Sequence, residues 1–282
     1  QVVIQKSGGT LKTIEKGTRI AKKMMVDLSL QEKVEFDISE IILALECGGS
    51  DPTSGIASNP AIGTASDLLI QNGGTSILSE TTELIGAEHI IARRAINKKI
   101  AKEIFFIVNR TEKRAIEMGI DLRGSQPTPG NIESGLTTIE EKSLGCIYKA
   151  GYSPVKGILK YAEEVPDEKG LYIMDTPGQD IDSITGMIAG GAQIVVFTTG
   201  RGTPTGSPIA PVIKVTGNTL TYNNMIDNID INAGKIIDEN MSIREIGQEI
   251  FDEIIKVCNG KQTKAEILGY REFGIFRVGF TF

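Results

Sequence analysis

The stretch "LALECGGSDPTSGIASNPAIG", residues 43–63, passes from a short apolar run through glycines, serines and an aspartate to Asn59-Pro60 and a helix-forming segment. An apolar run of that length reads as a buried strand, and the small polar residues after it as a turn at the strand's carboxyl end. Asn before Pro predicts a helix start, with Asn59 as cap and Pro60 at the first helical position, where a backbone N–H has no intrahelical partner to lose. A helix over about 60–71 follows.

Comparable apolar runs recur. "IILAL" (41–45) is followed by "TSIL" (75–78), "LYIM" (171–174) and "QIVVFT" (193–198), with segments of helical spacing between them. This alternation predicts an α/β fold, a largely parallel sheet flanked by helices in a Rossmann-like three-layer arrangement. The chain has no fixed-period repeat, low-complexity tract or Pro/Ser/Gly-rich linker, so residues 1–282 read as a single α/β domain. Residues 87–118 are mostly helix-forming, with Lys98, Lys99, Lys102, Lys113 and Arg114 crowding the polar positions as a solvated face. Residues 243–257 read as an amphipathic helix, capped by Ser242 with Glu245 three residues on. After each strand-like run the chain turns small and polar: "ECGGSD", "SETTE", "DTPGQD", "TTGRGTPTG". Ligands of open parallel sheets bind beyond the carboxyl ends of the strands, so these four loops are expected to line one rim.

Composition narrows the function. With 282 residues and 40% hydrophobic content the chain can bury a full core. A formal charge of -6 and a pI near 5.1 argue against nucleic acid as a partner, which requires a basic surface. No apolar run approaches the roughly 20 residues of a membrane helix, so no membrane partner is expected. Cys47, Cys146 and Cys258 are odd in number and far apart, which fits a reducing, cytoplasmic setting. The sequence opens on Gln1 and is expected to be part of something longer.

The glycine-rich turn after "LALE" invites a phosphate reading, because backbone N–H groups before a helix cradle anions. No G-x-x-x-x-G-K-[ST] or G-x-G-x-x-G spacing supports it, and "DTPG" (175–178) without a phosphate loop reads as a strand-end turn. A metal reading has more material: Cys47, His89, Cys146 and the carboxylates Glu46, Glu80 and Glu83 are all of ligand type. The alternatives are a small buried thiol and a structural histidine. In "PTPGNIESGLTTIEEKSLGCIYKAG" (127–151), helical projection puts Glu140 and Ser143 on a face with Leu136, Leu144 and Ile147. Thr137-x-x-Glu140 and Thr138-x-x-Glu141 both fit a capping box, so each glutamate is either a cap or a working carboxylate. Lys142 is either a desolvated base or a surface cation. Arg123 and Arg201 sit among glycines and prolines, where guanidinium can grip a carboxylate or bind loop carbonyls.

The strings "ECGGSD-TSG-ASNPA-G", "ETTELIGAEH", "QPTPGN-E-GLTTIEEKSLGC", "MDTPG-D" and "GGAQIVVFTTGRGTP-G-P" together resemble the altronate dehydratase and galactarate dehydratase family, from about Gly8 to Gly279. The resemblance is to the C-terminal catalytic region of such enzymes. It implies a hydro-lyase that takes water from a sugar acid to give a 2-keto-3-deoxy acid, with Fe2+, or Mn2+ in its place. It also implies an N-terminal domain or subunit as partner, beside a small-molecule sugar acid, and leaves open association with copies of itself. A related lyase acting on sulfolactate, or a non-catalytic assembly subunit, are the alternatives. By matching motif, Cys47, Glu83, His89 and Cys146 are expected at the metal. His89, Glu141, Lys142 and Arg201 are expected in catalysis, and Asp51, Arg123, Asn131, Asp175 and Arg201 at the substrate.

Overall fold

A computed structural model describes residues 1–32 and 34–277. The chain divides into two compact units, residues 1–37 and 38–282, where a single domain over 1–282 was expected. The first unit is helical: a short turn Ile4–Ser7 and helix α1 (Thr10–Ser29).

The second unit is built on a seven-stranded sheet. In chain order its strands are β1 (Ile42–Cys47), β2 (Thr75–Leu78), β3 (Val155–Leu159), β4 (Leu171–Met174), β5 (Ile194–Thr199), β6 (Val212–Thr216) and β7 (Ile231–Asn232). They lie in the order β3-β4-β2-β1-β5-β6-β7, every pairing parallel. From β1 the chain moves to one side for β2, β3 and β4 and then to the other for β5, β6 and β7. The strand order therefore reverses between β1 and β5, where a crevice opens at the carboxyl ends.

Side-chain alternation along each strand builds a core on each face. On one face Leu43, Leu45, Ile194, Val196 and Ile213 pack under helices α2 (Asn59–Gln71) and α6 (Ile243–Cys258). That face continues from Leu45, paired with Leu78, to Ile173 under helix α3 (Lys98–Glu117). On the other, Ala44, Val195, Phe197 and Met174 pack against Ile184 and Met187 of helix α5 (Asp180–Ala189). This is the expected three-layer α/β arrangement. Small residues let α2 and α6 approach closely: a Cβ on Gly247 would fall 3.0 Å from the Ala61 carbonyl oxygen and closer still to the Thr64 side chain.

Several local expectations shift. Ser54–Ser58 forms a π-helical turn that runs straight into α2, so Asn59 has helical backbone angles (φ -66°, ψ -44°) and is not the N-cap. Its side chain is used elsewhere, as described below. The helix expected over 87–118 is broken: Glu88–Ala92 is one short helix, and α3 starts afresh at Lys98 with Asn97 accepting from the Ile100 N–H. The cap expected before α6 forms as read, with Ser242 and Glu245 exchanging side chain-to-backbone bonds.

Candidate functional site

The site grows from the last two residues of β1. Alternation sends Glu46 toward α5, where its carboxylate accepts from Ser183 at 2.7 Å and from Ser79 at 3.0 Å. Cys47 faces the opposite way, toward helix α4 (Ile139–Ile147), and its Sγ lies 3.7 Å from Cys146 Sγ. A Cβ on the next residue, Gly48, would collide with the Asp180 carboxylate, so only glycine lets α5 come this near to β1.

Glu80, two residues past β2, supplies the third side. Its backbone is left-handed (φ 65°, ψ 73°), a region that costs a non-glycine residue about 1–3 kcal/mol and persists where surroundings hold it. Thr176, beyond β4, accepts the Glu80 N–H at 2.7 Å, and the carboxylate takes the Lys149 ammonium at 2.8 Å, with Cys47 Sγ 3.2 Å away. Lys149 is completely buried in the single turn Tyr148–Ala150 that ends α4. Asn59 ties the walls together, donating to the Gly145 carbonyl at 3.0 Å and accepting from Thr198 at 2.6 Å.

Burial sets the charges. It pushes the Glu46 carboxyl well above the usual range, helped by the charge of Glu80. The Cys47 thiol is raised by its hydrogen bond to Cys146 and by burial. Burial works against the Glu80 carboxylate too, but the Lys149 ammonium overrides it and Glu80 ends below its ordinary value. Lys149 is raised in turn: burial opposes its charge, and the acidic neighbours around it, the Glu80 carboxylate at 2.8 Å among them, outweigh that. Asp180 is pushed up to about 7 by burial and by Glu80.

Two donor groups emerge among the described residues. Cys47, Glu80 and Cys146 offer atoms within 4.8 Å of one another, and Glu46, Glu80 and Asp180 form a second set that shares Glu80. One Glu46 oxygen is buried without a hydrogen-bond partner. Beside the cluster, Glu83 and Lys142 pair at 2.8 Å on the wall of a cavity of about 330 Å3, opposite the Pro177–Gly178–Gln179 turn. Burial raises the Glu83 carboxyl despite Lys142, and one of its oxygens has no partner. Burial pulls the Lys142 ammonium down but Glu83 lifts it further, so it is held charged. Lys142 also borders a second cavity of about 200 Å3 that reaches Asp51 and Asn59.

The expected residues separate into those brought here and those not. Cys47 and Cys146 meet. Glu83 lies beside them in an ion pair with Lys142 and in neither donor group, and Glu80 takes the place expected of it. His89 is on the exposed side of the short helix Glu88–Ala92 and in neither group, so the expected imidazole ligand or base is not at this cluster. Glu141 is exposed and acts as a cap: its carboxylate takes the Thr137 N–H at 2.8 Å and the Thr137 hydroxyl, which lowers it. Glu140 is exposed too and pairs with Arg123 at 3.2 Å; the buried side of α4 is Ile139, Ser143, Cys146 and Ile147. Arg123 is also held by Glu112 at 2.5 Å, and Asp175 by Arg110 and by Thr81, so both sit in polar contacts outside the two donor groups.

Asp51, Asn131 and Arg201 instead line the switch-point loops. Asp51 accepts from Ser54 at 3.0 Å and Asn218 at 3.1 Å, and Asn131 donates to the Ser50 carbonyl at 2.7 Å. The Arg201 N–H donates to the Gly49 carbonyl at 2.9 Å, and its guanidinium lies against Gly130, where a Cβ would strike it. Gly49 turns this corner with φ 61°, a left-handed conformation that suits glycine. Sequence reasoning missed Lys149 and Asp180. Lys149 had a signal: it follows Cys146 by three residues at a helix end, which places both on one side.

Fold and site define a doubly wound α/β domain with a buried acid–thiol–lysine centre at the carboxyl edge of its sheet. The family model for the C-terminal region of D-galactarate/altronate dehydratases matches residues 38–281, and the chain belongs to that family. It is 37% identical over 268 residues to altronate dehydratase of Bacillus subtilis, covering 95% of this chain and 53% of that protein. To galactarate dehydratase (L-threo-forming) of Escherichia coli it is 36% identical over 258 residues, 92% of this chain and 49% of that one. It is also 37% identical over 272 residues to the beta subunit of (2R)-sulfolactate sulfo-lyase of Chromohalobacter salexigens, 96% of this chain and 70% of that subunit. The chain thus spans about half the length of these two dehydratases.

Proposed function

We propose that this chain is the portion of a sugar-acid hydro-lyase that carries the reaction centre, converting an altronate- or galactarate-type acid to a 2-keto-3-deoxy acid. The observation that carries the reading is the Glu83–Lys142 pair on a cavity wall beside the buried Cys47–Glu80–Cys146 cluster. A C2 hydrogen beside a carboxylate is a very weak acid, so its removal needs a positioned base and a stabilised enediolate. Glu83 is the base: burial makes its carboxylate a stronger proton acceptor than one in water. Lys142, held charged, is the acid. As the C3–O bond breaks, its proton leaves with the hydroxyl as water, and Glu83 returns the C2 proton to it across 2.8 Å. The enol product then tautomerises to the ketone.

The chemistry of the cluster fits a divalent metal, since thiolate and carboxylate are donors for Fe2+ and carboxylate for Mn2+, while the partnerless Glu46 oxygen belongs to the second group, which shares Glu80. Cys47, Cys146 and Glu80 would hold it, with Lys149 balancing the excess negative charge. When bound, it supplies positive charge to the carboxylate of the substrate. Arg201, Asp51 and Asn131 orient the sugar hydroxyls at the switch point. The remaining half of such an enzyme, as a fused domain or a separate subunit, is the expected partner, and the three unpaired thiols favour a cytoplasmic setting.

The test is an assay of the complete enzyme, with the complementary half added if it is a separate chain, on altronate, galactarate and (2R)-sulfolactate. Keto-acid formation is expected, with Glu83→Gln and Lys142→Met each lowering kcat by about 10²–10⁴-fold. Wild-type turnover in both variants would sink the assignment. The likeness to the sulfo-lyase subunit supports a second reading, elimination of sulfite from sulfolactate, which the same panel detects as released sulfite. No turnover on any substrate would favour the assembly-subunit alternative.

A further inference from the structure

On the far side of the Thr176–Pro177–Gly178 turn lies a larger cavity, about 600 Å3, between α3 and the loops after β3 and β4. Neither Glu83 nor Lys142 lines it. This cavity and that of the Glu83–Lys142 pair adjoin along Thr82, Pro177 and Gly178, which line both, and Gly178 packs so closely on the Thr82 hydroxyl that a Cβ would strike it. Four cationic side chains line the larger cavity, Arg110, Arg114, Lys160 and Arg277, against one carboxylate, Asp175. Arg110 pairs with Asp175, yet its Nε–H is buried without a partner. Among the described residues Arg114, Lys160 and Arg277 have no ion-pair partner. Three uncompensated cations around one concavity repel one another, and in a chain of formal charge -6 this local excess is set against the whole. The rest of the wall carries the hydroxyls of Thr82, Thr111 and Thr176 and an apolar part formed by Met118, Pro177 and the tilted ring pair Tyr161–Phe276, with centroids 5.1 Å apart.

We propose that this cavity binds a small organic anion carrying at least two negative charges, at a site distinct from the reaction centre. Guanidinium forks and a lysine ammonium match carboxylate and phosphate oxygens, and the volume lies within the roughly 300–1,000 Å3 of small-molecule sites. The apolar wall takes the body of the ligand and the cations its charged groups. Polycarboxylates and phosphate compounds share this chemistry. The site does not depend on the dehydratase reading.

Calorimetric titration of the complete protein with citrate and with pyrophosphate, at ionic strength held constant with sodium chloride, tests this. Saturable binding of at least one probe, tighter than about 10 mM, is expected. Citrate binding more tightly points to a polycarboxylate, pyrophosphate to a phosphate compound. Arg114→Ala and Lys160→Met, both exposed positions that leave the core untouched, should each weaken binding about tenfold, the loss of one charge-assisted contact. Lys142→Met, at the reaction centre, should bind the probe as wild type does, even without turnover. No saturable binding of either probe, or equal binding by wild type and both cavity variants, would overturn the proposal.

Discussion

At the scale of single residues the account turns on Glu80 and Lys149. A left-handed glutamate and a fully buried lysine are each unfavourable alone, and together they make one charged pair at 2.8 Å. Replacing Lys149 by Met leaves a buried carboxylate uncompensated and should cost about 3–5 kcal/mol in urea unfolding. Adding Glu80→Gln to that variant should recover part of the loss, because no charge is then stranded. Lys214 offers a second reading of burial. Its ammonium donates to the Pro204 and Thr205 carbonyls at 3.0 and 3.3 Å, and burial pulls its pKa down to about 8 although Asp230 and Glu272 oppose this. Between about 8 and the ordinary 10.5 the unfolded chain holds a proton that the native one has shed, so Lys214 adds stability as pH rises through that window. Stability measured at pH 7 and at pH 10.5 should therefore shift in favour of wild type over Lys214→Met by up to about 3 kcal/mol. An unchanged difference would mean that Lys214 titrates normally. Of these residues the sequence exposed Cys47, Cys146, Glu83 and Lys142 by type and motif. It could not show that His89 faces outward, since one turn of helix decides that, nor that Asp180 reaches Gly48, since only the fold brings α5 to β1.

At the scale of elements, legibility followed hydrophobic continuity. β1, β2, β4 and β5 are buried along nearly their whole length and each carries a short apolar run without a basic residue or glycine, so they stood out and their bounds shifted by at most two residues. β3 and β6 did not, because Lys156 with Gly157 and Lys214 interrupt them; Lys214 sits in a strand only because two loop carbonyls receive its charge. The break between Ala92 and Lys98 escaped notice because helix-forming residues flank it, and Asn97 in their midst was the cap. Capping was most reliable where it was reciprocal. Ser242→Ala removes the acceptor for the Glu245 N–H and should lower stability by about 1 kcal/mol, read as a lowered urea midpoint with unchanged slope. An unchanged midpoint would mean that water caps α6 equally well.

At the scale of the whole molecule, the order β3-β4-β2-β1-β5-β6-β7 brings the loops after β1, β2, β4 and β5 to one edge, as the sequence led us to expect of four strand-end loops. The crevice between β1 and β5 is where Gly49, Asp51 and Arg201 meet, and the thiols and carboxylates lie just beneath it. The division at Asp37 was not legible, because α1 carries the same helix-forming composition as the helices of the larger unit. Among the described residues no helix is long and apolar enough to cross a membrane. The central proposal is that the Cys47–Glu80–Cys146 cluster holds a metal beside the Glu83–Lys142 pair. Elemental analysis of the complete protein, purified without oxygen, tests it most directly: wild type should carry about one iron or manganese per chain, and Cys47→Ser/Cys146→Ser close to none. Full metal occupancy in the folded double variant would contradict it.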